Sequence, residues 1–207
     1  MINFEMKKCS FYLLIVCVLI LGGCKNKANN SPVSDYEKVV IDRENNAGTN
    51  PLKIDGTRIK EILFEVKTDN KEFENGIQTW VSIQNFKKES INLINKDEVV
   101  ISEKEITIII DYPLTNVYSF NLKSEKGFTR EKLLTEIGEN YFKLYEEEEK
   151  SASVKTQPME EREMYNRNQT NGKYGIWGHD IADLVLTDIQ VFKNKDGKLI
   201  VSLGIDS

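Results

Sequence analysis

Residues 130–149 read REKLLTEIGENYFKLYEEEE, and this stretch limits the possible architectures more than any other. Leu133, Leu134, Ile137, Tyr141, Leu144 and Tyr145 recur at helical spacing and make one apolar stripe, which must be buried against another layer. Thr129 is a suitable N-cap, since its hydroxyl can accept from a free backbone N–H of the first turn. Phe128 and Leu133 sit where a hydrophobic staple would close over that turn. Gly138 costs about 1 kcal/mol relative to alanine inside a helix, so its presence predicts close packing on a neighbouring sheet. Glu146 to Glu149 put four carboxylates in the last turn, where they oppose the macrodipole. Consecutive helical positions point in different directions, so the four cannot converge on one cation. The expectation is a solvated, fraying end.

Around this helix the patterns are those of strands. Residues 59–67 (IKEILFEVK), 99–101, 106–110 (ITIII) and 117–122 (VYSFNL) are short and apolar or β-branched. Residues 76–86 (GIQTWVSIQNF) alternate Ile77, Thr79, Val81 and Ile83 against Gln78, Trp80, Ser82 and Gln84, which predicts a half-buried strand with Trp80 on its polar side. Residues 181–192 and 199–205 are two further strands, with Asp196-Gly197 as a hairpin turn between them. Asn194, Asp196 and Gly197 share part of the spacing of a calcium loop, but its closing glutamate is missing, and a turn is the simpler reading. Pro158 opens a short predicted helix, PMEEREMY, and NRNQTNGK after it reads as loop. One amphipathic helix among several strands predicts an α+β domain: a mainly antiparallel sheet with the helix packed on it.

The N-terminus carries processing information. Lys7 and Lys8 precede an unbroken apolar run, FYLLIVCVLIL, which is followed by LGGC at residues 21–24. A permanent transmembrane helix needs about 20 apolar residues, so this run fits the hydrophobic region of a secretory leader instead. With Leu21, Gly22, Gly23 and Cys24 in place, the segment resembles the lipobox of bacterial lipoproteins. That resemblance covers residues 1–24 only. It implies cleavage before Cys24, acylation of its sulfur, and attachment to a membrane through the acyl chains. Lys25 rather than aspartate follows Cys24. By the same resemblance this favours the outer membrane facing the periplasm over retention at the inner one.

The expected organisation is a signal peptide (1–23), a flexible tether (24–50) rich in Asn, Ser, Pro and Gly, and a single folded domain (51–207). Cys9 and Cys17 fall inside the leader and Cys24 would be modified, so the mature body has no free thiol and no disulfide. Its fold must rest on the core alone.

Composition removes several functions. The formal net charge is −5, and loss of Glu5, Lys7 and Lys8 makes it one unit more negative. With no basic stripe to neutralise phosphates, nucleic acid is not an expected partner. The chain has one histidine, His179. There is no HExxH pair, no cysteine zinc site, no GxSxG elbow and no P-loop, so neither a metal nor a cofactor is expected. Paired carboxylates of the glycosidase kind are too common in so acidic a chain to single out.

The densest group of chemically useful residues is YGIWGHDIADLVL, residues 174–186, with Gly172 just before it. In an enzymatic reading His179 is a general acid or base oriented by Asp180 or Asp183, with Trp177 as the pocket wall, because imidazole titrates near neutrality. In the structural reading the glycines permit unusual backbone angles, Ile176 and Trp177 plug the core, and His179 and Asp180 satisfy backbone groups. The structural reading asks for less and is preferred. Trp177, His179, Asp180 and Asp183 are still the candidate site, since binding groups lie on loops fixed by a scaffold. The expected function is a lipid-anchored, non-catalytic envelope module that binds a protein partner or another envelope component. The alternative is a periplasmic hydrolase using His179 with a neighbouring aspartate.

Overall fold

The computed structural model describes residues 52–162 and 169–207. The leader, Cys24, the tether and residues 163–168 lie outside the described residues. The architecture is α+β with a mainly antiparallel sheet. The described residues form ten strands: β1 (Thr57–Leu63), β2 (Val66–Lys67), β3 (Ile77–Gln78), β4 (Val81–Ser82), β5 (Val99–Ile101), β6 (Glu105–Ile110), β7 (Tyr118–Lys123), β8 (Phe128–Thr129), β9 (Val185–Lys193) and β10 (Leu199–Asp206). Among the same residues two α-helices join them, α1 (Phe86–Glu89) and α2 (Arg130–Ser151). The main sheet runs β1-β9-β10-β6-β7, with β4 continuing the edge beyond β1 on β9. Only β10 and β6 run parallel, and β2-β3 and β5-β8 are separate short ladders.

Strand alternation decides which face is covered. Ile106, Ile108 and Ile110 of β6 point inward, as do Ile189 and Val191 of β9 and Leu199 and Val201 of β10. They share one core with Leu133, Leu134, Ile137, Tyr141 and Leu144 of α2. Helix α2 starts as predicted: the Thr129 hydroxyl accepts from the Lys132 N–H at 3.1 Å. Tyr141 is fully buried, and its hydroxyl donates to the Tyr112 carbonyl at 2.9 Å, so the one polar atom it brings inside is satisfied. The hairpin between β9 and β10 turns where expected. Asn194 Oδ1 accepts from the N–H groups of Asp196 and Lys198, and Gly197 takes φ 78°.

Several expectations are corrected. Residues 76–86 do not form one strand. They give the two-residue strands β3 and β4 and then enter α1. Side chains compete with the ladder here: Glu89 Oε2 accepts from the Ser82 N–H at 2.9 Å, and the Gln78 amide donates to the Trp80 carbonyl at 3.0 Å. Val81 and Ile83 reach the core as the alternation requires, and Phe86 joins them by turning into a helix. Trp80 is half-buried and packs edge-on against Phe73, with centroids 4.9 Å apart. The first strand breaks at Phe64 and Glu65, and the strand expected from Ile181 begins only at Val185. Of the helix expected over 158–165, the described residues 158–162 form one 3-10 turn, Met159–Glu161, and residues 163–165 lie outside the described residues. Gly138 does allow a close approach, but its neighbour is the Phe86 ring and not the sheet. A Cβ there would stand 2.4 Å from Phe86 Cδ1.

Candidate functional site

The loop after residue 168 lies against the end of α2. Its two sides pair: Gln169 bridges to Trp177, the Thr170 N–H donates to the Ile176 carbonyl at 3.0 Å, and the Ile176 N–H donates back to Thr170 Oγ1 at 3.2 Å. A second bridge, Leu114 to Ile176, ties the loop to the segment after β6, and the N–H groups of Thr115 and Asn116 donate to the Tyr174 carbonyl. Gly175 adopts φ 64°, and a Cβ there would lie 3.0 Å from the Thr115 side chain, which explains why this position carries no side chain.

Glu148 sits in the mouth of this loop. It is 1% exposed. Its Oε1 accepts from the Thr170 hydroxyl at 2.6 Å and the Gly172 N–H at 2.7 Å, and its Oε2 accepts from the Tyr174 N–H at 2.7 Å. Burial by itself would push the carboxyl up. The Thr170 hydroxyl and the N–H groups of Tyr174, Gly172 and Gly175 outweigh it and hold Glu148 below the usual carboxylate range. The loop is therefore a backbone nest for an anion, and the anion is the protein's own. This corrects the expectation of four solvated carboxylates: Glu148 is buried and Glu147 half-buried, while Glu146 and Glu149 are exposed. Each has a separate task, because successive side chains leave the helix in different directions. Glu146 pairs with Lys150, and Glu149 accepts from the Thr156 N–H at 3.3 Å. Glu147 accepts from the Tyr174 hydroxyl at 2.5 Å and from Lys173 at 2.9 Å. These two contacts lower the Glu147 carboxyl below its ordinary value.

The sequence signal for Glu148 was present. Positions 137, 141, 144 and 148 continue one stripe at spacings of four, three and four, so the buried face of α2 runs on past its last apolar residue. Hydropathy hides this because the last member is charged.

The predicted site residues follow the nest. Trp177 is 8% exposed and meets the Tyr112 ring edge-on, with centroids 5.3 Å apart. His179 is half-buried; its ring centroid lies 5.5 Å from Tyr112 and 6.3 Å from Trp177. Its Nε2 is 3.3 Å from Ser207 Oγ, which also meets the Tyr112 hydroxyl at 2.9 Å. The Tyr145 hydroxyl donates to the His179 carbonyl at 3.1 Å. Burial raises the Tyr145 phenol well above its ordinary value, with Asp180 and Asp183 adding to the effect.

Both aspartates are engaged. The Asp180 carboxylate takes Arg162 Nη2 on both oxygens, at 3.0 and 2.9 Å, and the Arg162 side chain is only 5% exposed. Asp183 Oδ2 accepts from the Asp180 N–H at 2.9 Å, an Asx-type cap on the turn that leads to β9. The structure thus brings Trp177 and His179 together on Tyr112, and directs Asp180 and Asp183 to Arg162 and to backbone. Tyr112, Ser207 and Arg162 were not singled out from sequence, since nothing in their local pattern marks them.

Compared with family models, curated proteins and solved structures, the chain matches none. Among the described residues there is no group of three or more His, Cys, Asp or Glu able to hold a metal ion. No helix among them is long and apolar enough to cross a membrane.

Removal of the His179 ring is expected to act on stability. Each aromatic contact contributes about 0.5–1.5 kcal/mol, so His179→Ala should destabilise by about 1–2 kcal/mol and lower the melting temperature by several degrees. Thermal denaturation followed by circular dichroism measures this. An unchanged melting temperature together with loss of a hydrolytic activity would reverse the preference for a structural role.

Proposed function

We propose that the protein is a lipid-anchored component of the bacterial cell envelope, acylated at Cys24, whose folded body is a non-catalytic binding module at the periplasmic face of the outer membrane. The anchor rests on the leader followed by Leu21-Gly22-Gly23-Cys24. The observation that favours a binding module is the engagement of the candidate site: the Asp180 carboxylate is bound to Arg162 and Asp183 Oδ2 to backbone, so each already has a structural task. In this reading residues 172–183 are a recognition loop kept in shape by the Glu148 nest. A rigid loop loses little entropy when a protein partner binds it. The tether between Cys24 and the body, behaving as a coil of about 27 residues, would span roughly 30 Å and let the body meet partners away from the lipid.

A second reading draws on one contact, Ser207 Oγ beside His179 Nε2 at 3.3 Å, which is the pairing a serine hydrolase would use. It ranks lower because both neighbouring aspartates are engaged elsewhere.

Cys24→Ala tests the anchor. A diacylated cysteine holds a protein stably, at about 0.8 kcal/mol per buried methylene, and the substitution removes the acyl acceptor. Nearly all of the wild type is expected in the membrane fraction as a cleaved, acylated form. Mass spectrometry of the N-terminal peptide should find the diacylglycerol on Cys24. An uncleaved form that stays in the membrane with no lipid on Cys24 would replace the lipoprotein reading by a signal anchor. Capture of envelope proteins by the wild type, lost when residues on the rim of the 172–183 loop are changed, would support the binding role.

A further inference from the structure

The two ends of the main sheet differ in the sign of the charge that is in excess. Strand register defines them. Thr57 of β1 and Leu199 of β10 both lie opposite Lys193, Leu199 lies beside Ile106 of β6, and Glu105 pairs with Lys123 of β7. These residues form one end of the main sheet. Just beyond it project Lys195 and Lys198 of the β9–β10 turn and Lys126 of the turn after β7. Lys126, Lys193, Lys195 and Lys198 are all exposed, and none takes part in an ion pair among the described residues; the exposed acids Asp55, Glu103 and Asp196 lie at the same end, so lysine is in modest excess there. Lys104 and Lys123 at the same end are paired with Glu125 and Glu105.

The other end is acidic. It gathers the end of α2, the loop that leads to β9 and the end of β10, and so holds Glu146, Glu147, Glu149, Asp180, Asp183 and Asp206, of which Glu146, Glu147 and Asp180 pair with Lys150, Lys173 and Arg162. Contacts of Glu148 with the loop, of Tyr145 with His179 and of Tyr112 with Ser207 fix these elements together.

The chain arrives from its N-terminal side at the basic pole. Gly56 is pressed on the first residue of the lysine turn: a Cβ there would lie 2.9 Å from the Lys193 carbonyl oxygen. Whatever tethers the body pulls on that corner. Building on the lipid-anchor reading, we propose that the basic pole, where the entering chain meets Lys193, Lys195, Lys198 and Lys126, docks on the anionic headgroups of the bilayer that holds Cys24, so that the acidic pole with the 172–183 loop faces away from the lipid. Two features select a lipid surface as the occupant. The link delivers this corner to the bilayer, and the charge signs match: lysines are drawn to an anionic leaflet while the carboxylate-rich pole is repelled. The attraction acts only within a Debye length, about 10 Å at 0.1 M salt, which is shorter than the tether's span. Docking is therefore a separate event from anchoring and is sensitive to salt.

The test uses the full acylated protein reconstituted in vesicles. A thiol-reactive fluorophore is placed on Asp196→Cys in the lysine turn or on Ala182→Cys in the acidic pole, and quenching is read from a headgroup-quencher lipid. In vesicles containing phosphatidylglycerol, the label at 196 is expected to be quenched several-fold more than the label at 182. The ratio should fall to about one in phosphatidylcholine vesicles, in about 0.5 M salt, and in the triple variant Lys193→Glu, Lys195→Glu, Lys198→Glu. Melting curves of that variant keep a folding defect from being mistaken for loss of docking. Equal quenching at both labels in anionic vesicles, or stronger quenching at 182, overturns the docking. Failure of the wild type to float with vesicles of either composition overturns the anchor itself, so the two failures are distinguishable.

Discussion

Glu148→Ala is expected to lower the unfolding free energy by about 3–5 kcal/mol, because it leaves two backbone N–H groups and one hydroxyl without their acceptor in a buried place. Each buried donor so orphaned costs about 1–3 kcal/mol, and hydrogen bonds to a charged group are at the upper end. In a domain of this size each kcal/mol moves the midpoint by about 2–4 °C, so the melting temperature should fall by roughly 10 °C or more. Glu148→Gln separates shape from charge. It keeps the volume but turns an amide NH2 toward one of the donors, and should lose about half as much.

The pH dependence follows from the direction of the Glu148 shift. Its carboxyl titrates below the usual range when folded, so the folded state favours the ionised form. That contribution is fully present above the ordinary glutamate value of about 4.3 and is lost as the pH falls through the lower, folded value. Denaturant titrations from neutral pH to about pH 3 should therefore show the gap between wild type and Glu148→Gln closing on the acid side. A gap of constant size across that range would mean that the nest does not hold an ionised carboxylate.

Gly172→Ala attacks the same clamp from the loop side. A Cβ at this position would lie 2.7 Å from Ser151 Oγ, 2.8 Å from the Ala152 nitrogen and 2.8 Å from Glu148 Cδ. One of these is backbone at the helix end and one is the buried carboxyl, so the contacts cannot be relieved by swinging a free side chain aside. Overpacking of this kind costs about 1–3 kcal/mol, and here it also displaces a charge-assisted hydrogen bond, so a loss of about 2–4 kcal/mol is expected. Combined with Glu148→Ala the two effects should not add, since both break one arrangement. A double-mutant cycle should return a coupling of about 1 kcal/mol or more. Additivity within about 0.5 kcal/mol would show that Gly172 is required for some reason other than its approach to Glu148.

The parts of this fold that were readable in the sequence are those set by short-range periodicity. The α2 stripe, its Thr129 cap, the β6 strand and the Asp196-Gly197 turn all follow from local pattern, because each needs only neighbours a few residues away. Strand alternation also picked Val81 and Ile83 as inward residues, yet it missed that the chain bends there. Glu89 reaches back seven residues to bond the Ser82 N–H, and no period reports that.

The candidate loop shows the same division. Its residues stood out by composition, and their roles did not. Whether Asp180 orients a histidine or neutralises an arginine depends on Arg162, eighteen residues earlier and brought beside it only by the folded chain. Glu148 is the clearest instance. By hydropathy it belongs with the three glutamates around it, and by helical phase it belongs with Leu144 and Tyr141. The amino-acid order set that phase; the decision that an ionised carboxylate can live on the buried face came from the Thr170–Tyr174 segment, where the Thr170 hydroxyl and the Gly172 and Tyr174 N–H groups replace the water that Glu148 gives up.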